Sequence, residues 1–141
     1  MTESERIARI EELIAAIGKA GRDPHLRQKA VALLEQLVRD KVTVGIALIP
    51  AEGKPAQERL AMVENGGHDL MMAFPDPVEA LAALFPAGEV EMMTVAFGTL
   101  LDWLLGSPAA GIVLPSGKLA DPENVQMVAI DRHMAKDALG K

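Results

Sequence analysis

The chain has 141 residues, half of them apolar and none of them cysteine. Such a length can bury a core unaided, and the lack of cysteine excludes disulfide frameworks, thiol nucleophiles and Cys-ligated zinc while fitting a reducing compartment. The net charge of −6 is gathered in the middle: residues 42–117 hold two Lys/Arg against nine Asp/Glu, residues 1–41 eight against seven, and residues 118–141 four against four.

Phosphate-backbone binding needs clustered cations, and single-strand binding also needs aromatic platforms. With one Trp, three Phe and no Tyr beside an acidic centre, nucleic acid is not an expected partner. No apolar run reaches the ~20 residues that span a bilayer. The first 21 residues are charged and amphipathic where a signal peptide has an unbroken apolar core. The expectation is a soluble, cytoplasmic protein with no membrane partner.

Thr2 and Glu5 have the spacing of a capping box at a helix start. Ile7, Ile10, Leu13, Ile14 and Ile17 follow at helical spacing, with Glu5 and Arg9 four apart on the solvent side, until Gly18 and Gly21. Asp23-Pro24 supplies the N-cap and first-turn proline of a second helix, with Leu26, Ala30, Leu33, Leu34 and Leu37 as its buried stripe. Residues 1–41 are thus expected to form a helical hairpin covering one face of a sheet.

Val42 to Ile49 is apolar on both faces, as in a central strand, and Gly45 leaves room there for a close neighbour. Arg59–Glu64 and Asp69–Phe74 are strand-like runs separated by Asn65-Gly66-Gly67-His68, a strong hairpin signal. Asp76 and Pro77 cap and open a short helix whose apolar stripe is Val78, Leu81, Leu84 and Phe85. A strand (Val90 to Val95), a helix (Phe97 to Leu105) and a strand (Gly111 to Leu114) then read as one parallel βαβ unit, closed by Pro115-Ser116-Gly117. Asp121-Pro122 repeats the cap-plus-proline device before a last helix carrying Val125, Val128 and Ala129. The predicted order is ααβββαβαβα. The predicted fold is α+β, a single domain over 1–141, with a mixed sheet of about five strands, a sheet-containing core over 42–136, the N-terminal hairpin and further helices packed on the sheet.

An acidic hairpin feeding a strand that ends in Phe74, a short capped helix, a strand, a Leu-rich helix and a strand ending in a Pro-Gly turn together resemble the N-terminal domain of the SseB family, named for enhanced serine sensitivity. The resemblance covers roughly residues 25–135. Members carry Phe-Thr-Ser where this chain has Phe74-Pro75-Asp76, a change that keeps a helix cap. They carry Asn-Pro-Gly where this chain has Pro115-Ser116-Gly117, so a role resting on that amide is not transferred. The resemblance implies the fold, a bacterial origin and no established reaction.

His25, His68 and His133 lack His-x-x-x-His or mixed His/carboxylate spacing, so no metal or other cofactor is expected; His68 beside Asp69 tunes a turn. Glu89 and Glu91, two apart across Val90, are expected on one face of a strand, turned to water or to a partner rather than sharing a proton. Ser107 and Ser116 stand in no Gly-x-Ser-x-Gly and have no triad histidine. Ser116-Gly117-Lys118 has the ending of a phosphate loop without its leading glycine or following helix. Met62, Met71, Met72, Met92 and Met93 fill a core short of aromatics and, on an uncovered sheet face, would form with Trp103 a partner groove.

These readings point to a non-enzymatic interaction or regulatory module. It would bind a protein partner or its own copy through Glu89, Glu91, Trp103, Pro115, Ser116, Gly117 and Lys118. The alternative is a small-molecule sensor or enzyme with a pocket at the carboxyl ends of the parallel strands, using Asp69, Asp102 or Ser116. An apolar pocket with one buried carboxylate of raised pKa favours the alternative, and a flat acidic surface favours the module.

Overall fold

The structure, a computed structural model, describes residues 1–116, 119, 123 and 125–141. Helix α1 (Glu3–Ala20) starts where Thr2 Oγ1 accepts from the Glu5 N–H at 3.1 Å. Helix α2 (Pro24–Arg39) starts where the Asp23 carboxylate accepts from the His25 and Leu26 N–H groups. Ile10, Leu13, Ile14, Ala30, Leu34 and Leu37 are buried where the two helices and the sheet meet. Arg9 bridges to Asp40 at 2.8 Å instead of pairing with Glu5, so its charge ties the start of α1 to the end of α2.

Strand β1 (Thr43–Leu48) is followed by a short 3-10 turn at Ala56–Glu58 and the hairpin of β2 (Met62–Asn65) and β3 (His68–Met72). Asn65 and His68 close that hairpin, and Gly66 and Gly67 hold the turn at φ of +61° and +83°, conformations that cost glycine little. Helix α3 (Pro77–Leu84), capped by Asp76, leads to β4 (Glu91–Ala96), α4 (Phe97–Leu105), β5 (Gly111–Ser116), β6 (Gln126–Asp131) and α5 (Arg132–Leu139).

The fold is α+β and opens on a helical hairpin, as expected, but its strands fall into two sheets. One holds β1 and β4, antiparallel. The other has the order β2-β3-β5-β6, with β3 and β5 parallel and the other neighbours antiparallel. The expected βαβ unit is therefore corrected, because β4 and β5 lie in different sheets. Helix α4 buries Phe97, Leu100, Leu101 and Leu104 in the main core instead of lying over one sheet, and so carries the chain from one sheet to the other. The sheets meet at β1, whose second edge bonds Gly45 to Phe74 in both directions and Ala47 O to the Ala61 N–H.

The last helix expected over Val125, Val128 and Ala129 is likewise corrected: these residues lead into and form β6. The segment serves as the outer partner of β5, with Ile130 facing the core opposite Ile112. Asp121-Pro122, its expected cap, lies outside the described residues. The true cap is Asp131, which accepts from the Met134 N–H at 2.8 Å at the start of α5.

Helices α1, α2, α4 and α5 cover one side of the sheets. Helix α3 sits alone on the other, over a second small core of Ala47, Ala61, Phe74 and Ala80, with Phe85 edge-on to Phe74 at 6.5 Å. Of its expected apolar stripe, Phe85 faces inward and the other three residues do not. Ala80 alone is buried, while Val78, Leu81 and Leu84 are 77%, 37% and 40% exposed. The helix can approach closely only through small residues: a Cβ on Gly45 would lie 2.7 Å from Pro77 Cβ. No helix among the described residues is long and apolar enough to cross a membrane.

Two arginines close the architecture. Arg132 donates to the carbonyls of Leu104, Leu105, Ser107 and Ala109, joining the end of α4 and the loop after it to α5. Arg6, buried within α1, donates to the carbonyls of Thr43 at 2.8 Å and Pro75 at 2.7 Å and to Glu3.

Asp131 also meets Arg27 at 2.5 Å. Burial acts to raise its carboxyl, but the Met134 N–H, the Arg27 guanidinium and His133 outweigh burial and leave it below the ordinary aspartate value. A carboxyl depressed in the fold contributes stability above its unfolded pKa, about 3.9, and loses it as pH falls through the folded value. In thermal melts across pH, wild type should therefore exceed Asp131→Asn above about pH 5, with the difference closing below about pH 4. A difference unchanged down to acid pH would remove Arg27 and the helix cap as its cause.

Candidate functional site: an apolar groove on the open sheet face

Side chains alternate across a strand, and directly paired residues share a face. Met72 pairs with Val113 and Pro115 with Met127, so these four lie together on the face of the β2-β3-β5-β6 sheet turned away from the main core. No helix covers that face among the described residues except α3 at one end. There Met72, Phe74, Leu84, Val113, Pro115, Leu119, Val125 and Met127 line an apolar groove of about 320 Å³. Met127 stands 56% exposed on its wall. The groove lies at the carboxyl ends of the parallel pair β3 and β5, where open α/β sheets place their ligands.

An acidic niche adjoins it. Ile7, Glu11, Pro75, Asp76 and Glu79 surround a hollow of about 60 Å³ that shares Pro115 and Leu119 with the groove. Glu79 accepts from the Leu119 N–H at 2.9 Å, tying the 119 region to α3. Asp76 is occupied in capping that helix. Glu11 has its carboxyl raised above the ordinary value, first by burial and then by the neighbouring charge of Glu79. Its ionised form is thus disfavoured in the fold, and the attraction of a cation set beside it would act against that shift.

Among the described residues read from the sequence as partner-binding, Pro115 is the one in the groove wall. Ser116 ends β5, and Gly117 and Lys118 lie outside the described residues. Glu91 opens β4 and is met by Arg59 at 3.2 Å. Glu89 precedes the strand, which corrects the expectation that both carboxylates share a strand face: the chain is still leaving the turn after α3 when it passes Glu89. Trp103 is half-buried on α4 against the main core, on the side away from the groove. Of the methionines, Met71 is buried in the main core and Met72 faces the groove.

The residues of the alternative reading do not converge either. Asp69 is exposed at the start of β3 and Asp102 pairs with Lys141 at 3.0 Å on α4. His25, His68 and His133 sit on three separate elements, with His133 Nε2 3.5 Å from Asp137. No group of three or more His, Asp or Glu suited to a metal occurs among the described residues. A hollow of about 390 Å³ between α2 and α5 is lined by Arg22, Arg27, Gln28, His133 and Asp137, but Arg27 and His133 already have carboxylate partners there.

Leu84, Leu119, Met127, Glu11 and Glu79 were not identified from the sequence. The period-2 run Val113-Pro115 carries a signal for its own strand, but nothing local shows that β6 lies beside it or that α1 brings Glu11 to α3. No family model, no curated protein and no solved structure matches this chain.

Proposed function

We propose that the protein is a non-enzymatic, cytoplasmic interaction module of SseB-like type that receives an apolar segment of a protein partner in the groove, with a lysine or arginine of that segment in the Glu11/Glu79 niche. The observation that carries this reading is the contact between an open apolar groove and a niche holding a half-buried carboxyl that ionises against burial and a like charge. Methionine walls adapt to varied side chains. Exposed apolar residues run from Leu84 in the groove wall along α3 through Leu81 and Val78. Helix-in-groove recognition of an amphipathic segment uses this kind of surface.

The test is fluorescence anisotropy with labelled amphipathic peptides in which Leu at helical spacing is combined with either Lys or Glu. The Lys peptide should bind and the Glu peptide should not. Met127→Glu should weaken binding at least about tenfold, or roughly 1.4 kcal/mol, and Glu11→Gln should narrow the preference for Lys. Equal binding of both peptides, or binding indifferent to Met127→Glu, removes the groove as the site. The adjoining raised carboxyl and apolar pocket also favour a second reading, a pocket for a small cationic amphiphile. Thermal stabilisation by a short-chain alkylammonium without peptide binding would select it.

A further inference from the structure

We infer that the protein self-associates by pairing the free edge of β4 with the same edge of a second copy, in a two-fold arrangement centred on Thr94. This goes beyond the groove and stands on different residues.

In an antiparallel ladder alternate residues bond to the neighbouring strand and the others point outward. The Phe97 N–H bonds Val42 O, which extends the β1–β4 register and assigns Val95, Met93 and Glu91 to the bonded side. The outward residues of β1 agree with this phase, since Gly45 and Ala47 bond the segments on its other edge. Met92 and Thr94 therefore turn their N–H and C=O groups away from β1, and nothing among the described residues bonds to them. An open edge of this kind is a template for another strand.

Proteins protect such edges with proline, lysine, bulges or a covering element. Glu91-Met92-Met93-Thr94-Val95-Ala96 has none of the first three, and its one charge stands at its first residue. The other free edges are less suited. Strand β2 has four residues, two of them Glu64 and Asn65, and β6 ends on Asp131, which caps α5 and pairs with Arg27.

The chemistry of the strand favours its own copy as the occupant. Centred on Thr94, the pairing sets Thr94 against Thr94 and Met92 against Ala96. Met93 and Val95 then form close pairs with Cα atoms about 4.5 Å apart. Every opposed residue is uncharged, and the two Glu91 carboxylates stand at opposite ends, each already beside its own Arg59. Met93, 38% exposed, would be covered by Val95 of the second copy. The result is a continuous sheet in the order β1-β4-β4-β1.

Sedimentation velocity across a concentration series tests this. Wild type should move from a 15.0 kDa monomer toward twice that mass. Thr94→Lys, which places a cation at the centre of the pairing, should remain monomeric, and Thr94→Val should associate as wild type does. A cysteine-free chain permits a second measurement that does not depend on the lysine variant folding. Thr94→Cys should form a disulfide-linked dimer on mild oxidation, since hydrogen-bonded antiparallel pairs bring Cα atoms to about 5.5 Å, within disulfide range. Glu64→Cys on the β2 edge should not. Wild type that stays monomeric throughout, a folded Thr94→Lys that associates as wild type does, or equal cross-linking at both positions overturns the proposal.

Discussion

Arg6→Ala should lower the free energy of unfolding by about 2–4 kcal/mol, because hydrogen bonds from a charged donor contribute about 1.5–3 kcal/mol each and their loss strands the acceptors. Arg6 is the one buried charged side chain among the described residues and is 7% exposed. Its guanidinium joins three elements at once: α1, the first residue of β1 through Thr43 O, and the turn before α3 through Pro75 O. No other donor reaches either carbonyl among the described residues. Arg6→Lys should recover less than half of the loss, since an ammonium on a flexible stem does not match two carbonyls as a planar fork does. Urea denaturation of the three proteins measures this directly. A loss in Arg6→Ala below about 0.5 kcal/mol, the level of ordinary surface substitutions, would show that the clamp is dispensable.

Gly45→Ala should destabilise by about 1–3 kcal/mol, the usual cost of overpacking, and Gly45→Val by more. The cause is contact and not backbone freedom: an added Cβ would stand 2.7 Å from Pro77 Cβ and 3.1 Å from Phe74 O, where β1, the end of β3 and the first turn of α3 converge. Phe74 exchanges two backbone bonds with Gly45 at 2.8 Å, so it cannot withdraw without losing them. The strain should push α3 outward. Leu84, at the far end of that helix, is a groove wall, so the folded alanine variant should also bind the cationic amphipathic peptide more weakly. Unfolding measurements and anisotropy on the same preparation separate the two effects. Stability equal to wild type would mean that α3 does not rest on β1 at this point.

These two residues mark how far local chemistry reaches. Gly45 was legible as a place of close approach because a glycine inside an apolar strand has few other uses. Arg6 was not, since a single arginine near a helix start reads as solvated until the carbonyls of Thr43 and Pro75 are known to lie beside it. The same division runs through the site. Pro115 was legible as a residue with something to touch, although it was expected in a turn and instead continues β5 opposite Met127; Met127 was hidden because Gln126–Asp131 carries a spacing that fits a short helix as well as a strand, and only pairing with β5 decides between them. Glu89, Glu91 and Trp103 have suitable chemistry for contact, yet they are distributed over a turn, an ion-paired strand end and the opposite face of the molecule.

By itself the sequence determined the helix starts at Thr2, Asp23 and Asp76, the Gly66-Gly67 hairpin, the burial of β1 on both faces and the α+β class. Each of these rests on interactions within a few residues, namely caps, turn dihedrals and the period of apolar side chains. The tertiary structure alone decided the division into two sheets, the outward turn of Val78, Leu81 and Leu84 on α3, the meeting of Glu11 with Glu79 and the open edge of β4. Those depend on which strand finds which partner and which face a helix happens to cover. That choice is made by the burial of the whole core at once, through contacts between residues far apart in the chain.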